Sequence, residues 1–413
     1  MNAPSKLDGR ATQRGLTLIE LLVAMVIGLV VVLAVTSAVT LGEAHKRSTT
    51  STNDMNQSGS YAAYAIDRLL RSAGSGFAQT GMRGVFGCRL SAARRIGSAA
   101  TTILPRTASA FPAPFDTLLG GAGAANAGNL RVAPFLIAKG ATAGASDTLV
   151  VMGGNAAAGD VPRRIRSGFP DNNNLRLDNT IGMANGDIGL VSLDNGTFDS
   201  DCLIEQVDVT DATAFAAAGN EVLPIGGRYF TSSGTTTSLA TLAAGGTALF
   251  SPLGNVAANN LQFQLIGVNA DRTLVAYDLL RAAGTGSDEG TDASAMQALA
   301  DGVVALYAVY GVDTDSNGVV DSWIDPGAAD YAIGALMLAP DRMRHIVAAR
   351  VALVMRGSLY EKEPVTPASL EVFSDLPSDR KRTLTIAAED RNFRYRVIDT
   401  TIPLRNMLLL PFP

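Results

Sequence analysis

Histidine is almost missing: His45 and His345 are the two in 413 residues. A histidine-based metal centre or proton relay needs several such groups together, so that chemistry has little to build on. An excess of positive charge is missing too. With 33 Lys and Arg against 38 Asp and Glu, the formal net charge is −5, and no broad basic face for nucleic acid is implied. No Gly-x-Ser-x-Gly elbow, Gly-x-Gly-x-x-Gly loop or Gly-Lys-Ser/Thr phosphate loop occurs, which removes three common catalytic scaffolds. Arginines gather near Arg344, Arg350 and Arg394–Arg396, but on strand-like segments, where pairing with acids or sheet neighbours is the expected use. The 42 glycines point to long loops.

What the chain does have is hydrocarbon near its start. Residues 1–15 are polar, with Lys6, Arg10 and Arg14 against Asp8, and about 21 uncharged residues follow from Leu21 to Leu41. A helix of that length, rising about 1.5 Å per residue, crosses a bilayer. Basic charge before the span predicts a cytoplasmic N-terminus and export of the remainder. A secretory signal has a shorter apolar core and a small-x-small cleavage site; here the run is long and Ala34–Ala38 is a weak site. The plain reading is a single-pass anchor, but Glu20 asks for more. A carboxylate inside hydrocarbon costs about 2.5–3.5 kcal/mol. On a helix Glu20 lies one turn after Leu16. If the chain were cut between Gly15 and Leu16, the new amino group of a neighbouring copy could pair with Glu20 and offset that cost.

Gly15, Leu16, Thr17, Leu18, Ile19 and Glu20 together resemble the type IV prepilin signature, a glycine, an apolar residue, Thr-Leu-Ile-Glu and a hydrophobic helix. The resemblance implies cleavage after Gly15 by prepilin peptidase, N-methylation of Leu16, and Thr17 and Glu20 as assembly residues. Leu16 stands where that family more often has Phe. Ser37 stands where major pilins tend to carry a helix-kinking proline, which weakens a major-pilin reading but not a minor-pilin one. AIDRLLRSAG (65–74), GVFGCRL (84–90), YGVDTDSNGVVDSW (310–323) and DRNFRYRVIDTTIPLRN (390–406) are similar to the PilW family of minor pilins. That likeness covers the first ~90 residues and much of 300–406.

The family resemblance implies an α+β, pilin-like fold, a long N-terminal helix packed on an antiparallel β-sheet with large loop insertions. The expected divisions are a leader (1–15), a membrane helix (16–42), the exported half of the helix (43–76) and a β-rich periplasmic or extracellular head (77–413). The function implied is structural and non-catalytic: a minor pilin that primes type IV pilus assembly or sits at the tip. Implied partners are other minor pilins, the major pilin, the inner-membrane assembly platform, prepilin peptidase and a tip adhesin. The chain would sit in the inner membrane, N-terminus inside, and then in the pilus. Two other readings fit the same N-terminus: a type II secretion pseudopilin, and a membrane-anchored periplasmic enzyme or binding protein.

Beyond the span, Ala62, Ala65, Ile66, Leu69, Leu70 and Ala73 recur at three and four, predicting an amphipathic helix ended by Gly74 and Gly76. Strands are expected at 147–153 and 187–193, and a β-hairpin over 261–280 turning at Asn269–Arg272. Three more strands are expected in VVALYAVYG, IVAARVALVMRG and RYRVIDTTIPL, the last two apolar on one face. Stretches 91–145 and 210–250, rich in Ala, Gly, Thr and Ser, read as long loops or insertions with short strands.

Asp313, Asp315, Asn317 and Asp321 fall at loop positions 1, 3, 5 and 9, with Gly318 at 6 and the Val319 carbonyl at 7. Hard oxygen ligands at this spacing wrap one Ca²⁺. Position 12 is Ile324 and not the bidentate Glu of an EF-hand, so the pattern is a compact D-x-D-x-N loop. The other reading is an Asx-rich turn without metal; no cofactor is required in either case. Export would place Cys88 and Cys202 in an oxidising compartment, where a bridge is expected and two free thiols are the alternative.

Overall fold

Helix α1 spans Leu18–Arg71, and its first turn is closed by Thr17 and Glu20. The computed structural model describes residues 15, 17–96, 99–106, 111–116, 118, 130–156, 159, 161–167, 171–194, 199–209, 221–231, 237–280 and 295–408. By its contacts the chain divides into two units, Met1–Asn53 and Asp54–Pro413. Within the first unit the polar hydroxyls of the apolar run are spent on the helix itself. Ser37 Oγ donates to the Leu33 carbonyl at 2.9 Å and Thr40 Oγ1 to the Ser37 carbonyl at 2.9 Å; Thr36 does the same to Val32. A hydroxyl so engaged needs no water, so it is tolerated in hydrocarbon. Among the described residues α1 is the one helix long and apolar enough to cross a membrane.

The second unit begins in the same helix. Ala62, Ile66, Leu70 and Ala73 are fully buried in the main core with Leu265, Leu306 and Leu353, so the predicted stripe docks as expected. Gly59 allows the close approach: a Cβ there would collide with Ile398 and Met355. Gly74 and Gly76, at φ of 80° and 87°, turn the chain away after the helix.

Strands follow in chain order. The first are β1 (Arg89–Ile96), β2 (Ala99–Leu104), β3 (Phe135–Ala138), β4 (Thr148–Gly153), β5 (Arg163–Arg164) and β6 (Asn174–Arg176). Next come β7 (Asp187–Leu193), β8 (Asp201–Val207), β9 (Val222–Phe230), β10 (Ala248–Asn255), β11 (Gln262–Val268) and β12 (Thr273–Asp278). The last are β13 (Met296–Asp301), β14 (Val303–Val312), β15 (Ser322–Ile324), β16 (Ile346–Tyr360), β17 (Ser369–Val372), β18 (Arg382–Thr385) and β19 (Phe393–Pro403).

They form four sheets, giving the α+β arrangement of a pilin-like fold. One runs β2-β1-β9-β8-β7-β10-β5 with β6 on β9, a second β13-β12-β11-β4-β3, a third β15-β14-β16-β19, and β17–β18 stand as a pair. Pairing is antiparallel apart from β1 with β8, which is parallel. The predicted hairpin is β11–β12. Asn269 shapes its turn by accepting the Thr273 N–H on Oδ1 at 2.9 Å, and Arg272 adopts φ 60°.

Two features depart from the sequence expectation. The Ala/Gly-rich stretches contain more regular structure than loops with short strands: β1, β2 and β3 in one, the nine-residue β9 and part of β10 in the other. A second apolar cluster, separate from the main core, joins Leu203, Leu223 and Phe250 to the short helix Leu239–Ala243. Small residues hide the period-two signal because Ala and Gly pack on either face. The second departure is β16, which is buried on both faces and not on one. Leu353 and Met355 face the main core, while Ala352 and Val354, with Tyr307 and Val309 of β14, meet Val372, Phe373 and Leu376 of the β17–β18 segment. Arg350 fastens this cover by reaching Asp375 at 2.7 Å and Asp399 on β19, and Arg356 reaches Asp390 at 2.6 Å. Of the arginines singled out in the sequence, Arg350 and Arg394 thus pair with acids, while Arg396 meets Asn56 and Arg344 ends the short helix Pro340–Arg344.

Candidate functional site

The N-terminal motif is a helix start with an exposed carboxylate. Thr17 Oγ1 accepts the Glu20 N–H at 3.4 Å, and Glu20 Oε2 accepts the Thr17 N–H at 3.3 Å and its hydroxyl at 3.2 Å. This is a capping box, in which a Thr and a Glu three residues on satisfy each other's orphan donors. The Thr-x-x-Glu spacing carries that signal in the sequence, so Glu20 has a local task besides its expected assembly role. Oε1 accepts no hydrogen bond among the described residues. Gly15, Thr17 and Glu20 are exposed; Leu16 lies outside the described residues.

Cys88 and Cys202 form a disulfide with Cα atoms 5.8 Å apart, and both are fully buried. Cys202 pairs in register with Leu90, so the bridge sits where β1 and β8 run parallel. Ion pairs flank it: Arg89 meets Asp201 at 2.7 Å and Asp199 at 2.9 Å, and the buried Arg131 meets Asp199 at 2.9 Å.

The acidic loop joins β14 to β15, with Val312 opposite Ser322. The structure brings Asp313, Asp315 and Asp321 together, each offering an oxygen within 4.8 Å of the others. Asp313 is fully buried. Its Oδ1 accepts from the Ser316 N–H at 2.6 Å and Oδ2 from the Gly318 N–H at 2.7 Å. The exposed Asn317 accepts the Val319 N–H at 2.8 Å and donates to Asp315 at 2.9 Å. Ser316 and Gly318 take positive φ, 66° and 84°, which gives the sharp turn. The Thr314 hydroxyl and N–H hold the Asp321 carboxyl below the ordinary carboxylate range. None of the three acids has a Lys or Arg partner among the described residues. His345 closes the base, its Nδ1 2.8 Å from the Asp313 carbonyl, a hydrogen-bonded structural histidine. The loop is flanked by strands, so the EF-hand is absent here.

A buried ionic cluster escapes sequence inspection because its members come from four segments. Asp147, 1% exposed, accepts from the Gly140 and Ala308 N–H groups at 2.9 and 3.0 Å and lies 3.9 Å from Arg382 on β18. Arg382 also meets Asp325, which Lys139 holds at 2.8 Å. Burial pushes the Asp147 carboxyl up to about 6, against the pull of Arg382. Burial and the charge of Asp147 likewise push the Tyr307 hydroxyl up to about 12. At Asp325 burial acts upward too, but Lys139 and Arg382 outweigh it and the carboxyl stays low.

Because Asp147 binds its proton more tightly folded than unfolded, its stabilising contribution is complete below about pH 4. It is lost as pH rises through about 6, an effect of about 3 kcal/mol. Denaturant midpoints are therefore expected to fall between pH 4.5 and 7, and Asp147→Asn is expected to flatten that slope. An unchanged slope in the variant would remove the assignment.

Comparison with known families completes the picture. The family described as Type IV Pilus-assembly protein W matches residues 267–406, from the end of β11 to the residues after β19. The Prokaryotic N-terminal methylation motif matches residues 10–36, across Gly15, Thr17, Glu20 and the start of the span. The first match covers the C-terminal part of the chain and the second its head, a combination consistent with a PilW-family type IV pilin. The PilW match contains the acidic loop, the doubly covered sheet and Arg382, while Cys88 and Cys202 lie outside it. The methylation motif at the head of an apolar helix, with the pilus-assembly match, supports a membrane-anchored pilin related to pilus assembly. No curated protein and no solved structure matches the chain.

Proposed function

We propose that this chain is a minor pilin that primes type IV pilus assembly or occupies the filament tip, as a structural and non-catalytic subunit. The observation that carries the reading is the capped, exposed Glu20 at the head of an uncharged span, inside the matched methylation motif. Prepilin peptidase cuts after Gly15, removing 1–15, and Leu16 becomes the methylated N-terminus. Residues 16–42 hold the subunit in the inner membrane with its N-terminus inside, 43–76 continue the helix outward, and 77–413 form the exported head. Other minor pilins, the major pilin, the assembly platform and a tip adhesin are its partners. Mass spectrometry of the membrane-extracted and filament-borne chain tests this: the expected species begins at N-methyl-Leu16 and is found in sheared pili. An intact Met1, cleavage near Ala38, or absence from filaments and their tips overturns it.

The acidic loop is proposed to hold Ca²⁺ as a clip between β14 and β15, since three clustered carboxylates without a counter-cation repel one another. The ligands are Asp313, Asp315, Asn317, Asp321 and the Val319 carbonyl, with the weak affinity of extracellular calcium modules, about 10⁻⁴–10⁻³ M. At roughly ten times such a Kd, binding stabilises by about 1.4 kcal/mol. Unfolding of the purified chain in Ca²⁺ against chelator is expected to show that gain, and Asp315→Asn to lose it. Identical curves in calcium and chelator sink the clip.

A further inference from the structure

The exported part of α1 carries two faces. The buried one is described above; the other presents Tyr61, Tyr64 and Arg68, spaced by three and four along one side. Tyr61 and Tyr64 are 59% and 64% exposed, large aromatic areas given to water in a chain with few aromatics. Beside them lies the polar face of the β11–β12–β13 sheet. Alternation places Gln262 and Gln264 on that face of β11, and Gln297 of β13 stands opposite Ala276 of β12. Between helix and sheet runs a groove of about 420 Å³. That is within the range of small-ligand sites, about 300–1,000 Å³.

Its lining combines amides with aromatic and aliphatic side chains. Six amides enter it, from Asn155, Asn259, Asn260, Gln262, Gln264 and Gln297, and Arg68 is the one charged residue. Asn260 and Gln262 are engaged, with Asn255, Asn155 and Ser72. Among the described residues the side-chain amides of Asn155, Asn259, Gln264 and Gln297 have no hydrogen-bond partner within the chain. Each such amide offers a donor and an acceptor side by side, the pattern that vicinal hydroxyls complement. Exposed ring faces carry negative charge and attract the C–H face of a flat, hydroxyl-rich ring. Aliphatic side chains, Leu69, Leu261 and Leu299 among them, form part of the wall as well, so a docked protein segment is the competing occupant that the test must separate. A phosphate-rich or carboxylate-rich ligand needs more than one cation.

We infer that the groove between Tyr61, Tyr64 and the Gln264–Gln297 face is a binding site for a short neutral saccharide. The aromatic pair stacks a sugar ring and the amides read its hydroxyls. This inference stands apart from the pilus reading, since it is measured on the isolated chain and holds whether or not the subunit enters filaments.

The test uses the full chain in a detergent without a sugar headgroup, because a maltoside would compete for the groove. Saturation-transfer NMR is recorded with maltotriose, cellotriose and chitotriose at millimolar concentration. Transfer to the ring protons of at least one trisaccharide is expected. Tyr64→Ala and the Gln264→Ala/Gln297→Ala pair are expected to weaken it about tenfold or more, and Arg68→Ala to leave it nearly intact. Unchanged denaturant midpoints show that the variants fold, as their exposed or, at Gln264, half-buried positions allow. The site is refuted if none of the three sugars shows transfer, or if transfer survives Tyr64→Ala unchanged. It is also refuted if a photo-crosslinker at position 64 captures protein in cells while the sugars fail to bind.

Discussion

Replacing Glu20 with alanine is expected to leave the chain in the membrane and remove it from filaments. The uncharged run from Leu21 to Leu41 is untouched, so insertion has no reason to fail. What disappears is the carboxylate that would meet the amino group of a neighbouring copy. In hydrocarbon such a pair relieves a charge cost of about 2.5–3.5 kcal/mol for the acid alone. Alanine also removes one half of the capping box, and the helix start weakens by about 1 kcal/mol. Glu20→Gln separates the two effects, because glutamine still completes a capping box but carries no charge. Immunoblots of sheared filaments against membrane fractions should show both variants lost from filaments, at least tenfold, with membrane levels near normal. Normal incorporation of the glutamine variant would leave capping as the whole role of Glu20 and would end the ion-pair account.

Loss of the disulfide is the other large effect. Cys202→Ser is expected to lower stability by about 2–5 kcal/mol, measured as the denaturant midpoint of the purified chain. The bridge joins positions 114 apart in sequence, and a closed loop of that size removes much freedom from the unfolded chain. Its folded environment adds to the cost. Both sulfurs are fully buried in the main core, and a serine hydroxyl there would need a partner. The double variant Cys88→Ala/Cys202→Ala separates cross-linking from polarity, since alanine leaves no stranded hydroxyl. Reductant should shift the natural chain toward the double variant once unfolding exposes the bond. A midpoint unchanged in both variants would mean the bridge contributes nothing to stability.

The sequence was most readable where chemistry acts locally. The stripe at 62–73, the turn at Asn269–Arg272 and the strands at 148–153 and 187–193 all follow from spacing within one segment. Acid spacing in the 313–321 loop likewise forecast a cluster that forms. Interactions assembled from distant segments were not readable in this way. Nothing near Asp147 announces Arg382, which comes from β18, or Lys139 and Asp325, which complete the network. The sheet order of the Ala/Gly-rich middle was hidden for a different reason. Small side chains fit the inside and outside of a strand equally, so the pattern that marks a buried face is faint there.

The roof that β17 and β18 put over the third sheet changes how that sheet tolerates replacement. An ordinary one-sided sheet has a wet row of positions where charge is harmless. Here Tyr307 and Val309 occupy what would be that row, and both are sealed. A lysine at Val309 should therefore behave as a wound to an interior, and shaving the roof to shorten the protein would bare a greasy plane where a water-loving one is usually found.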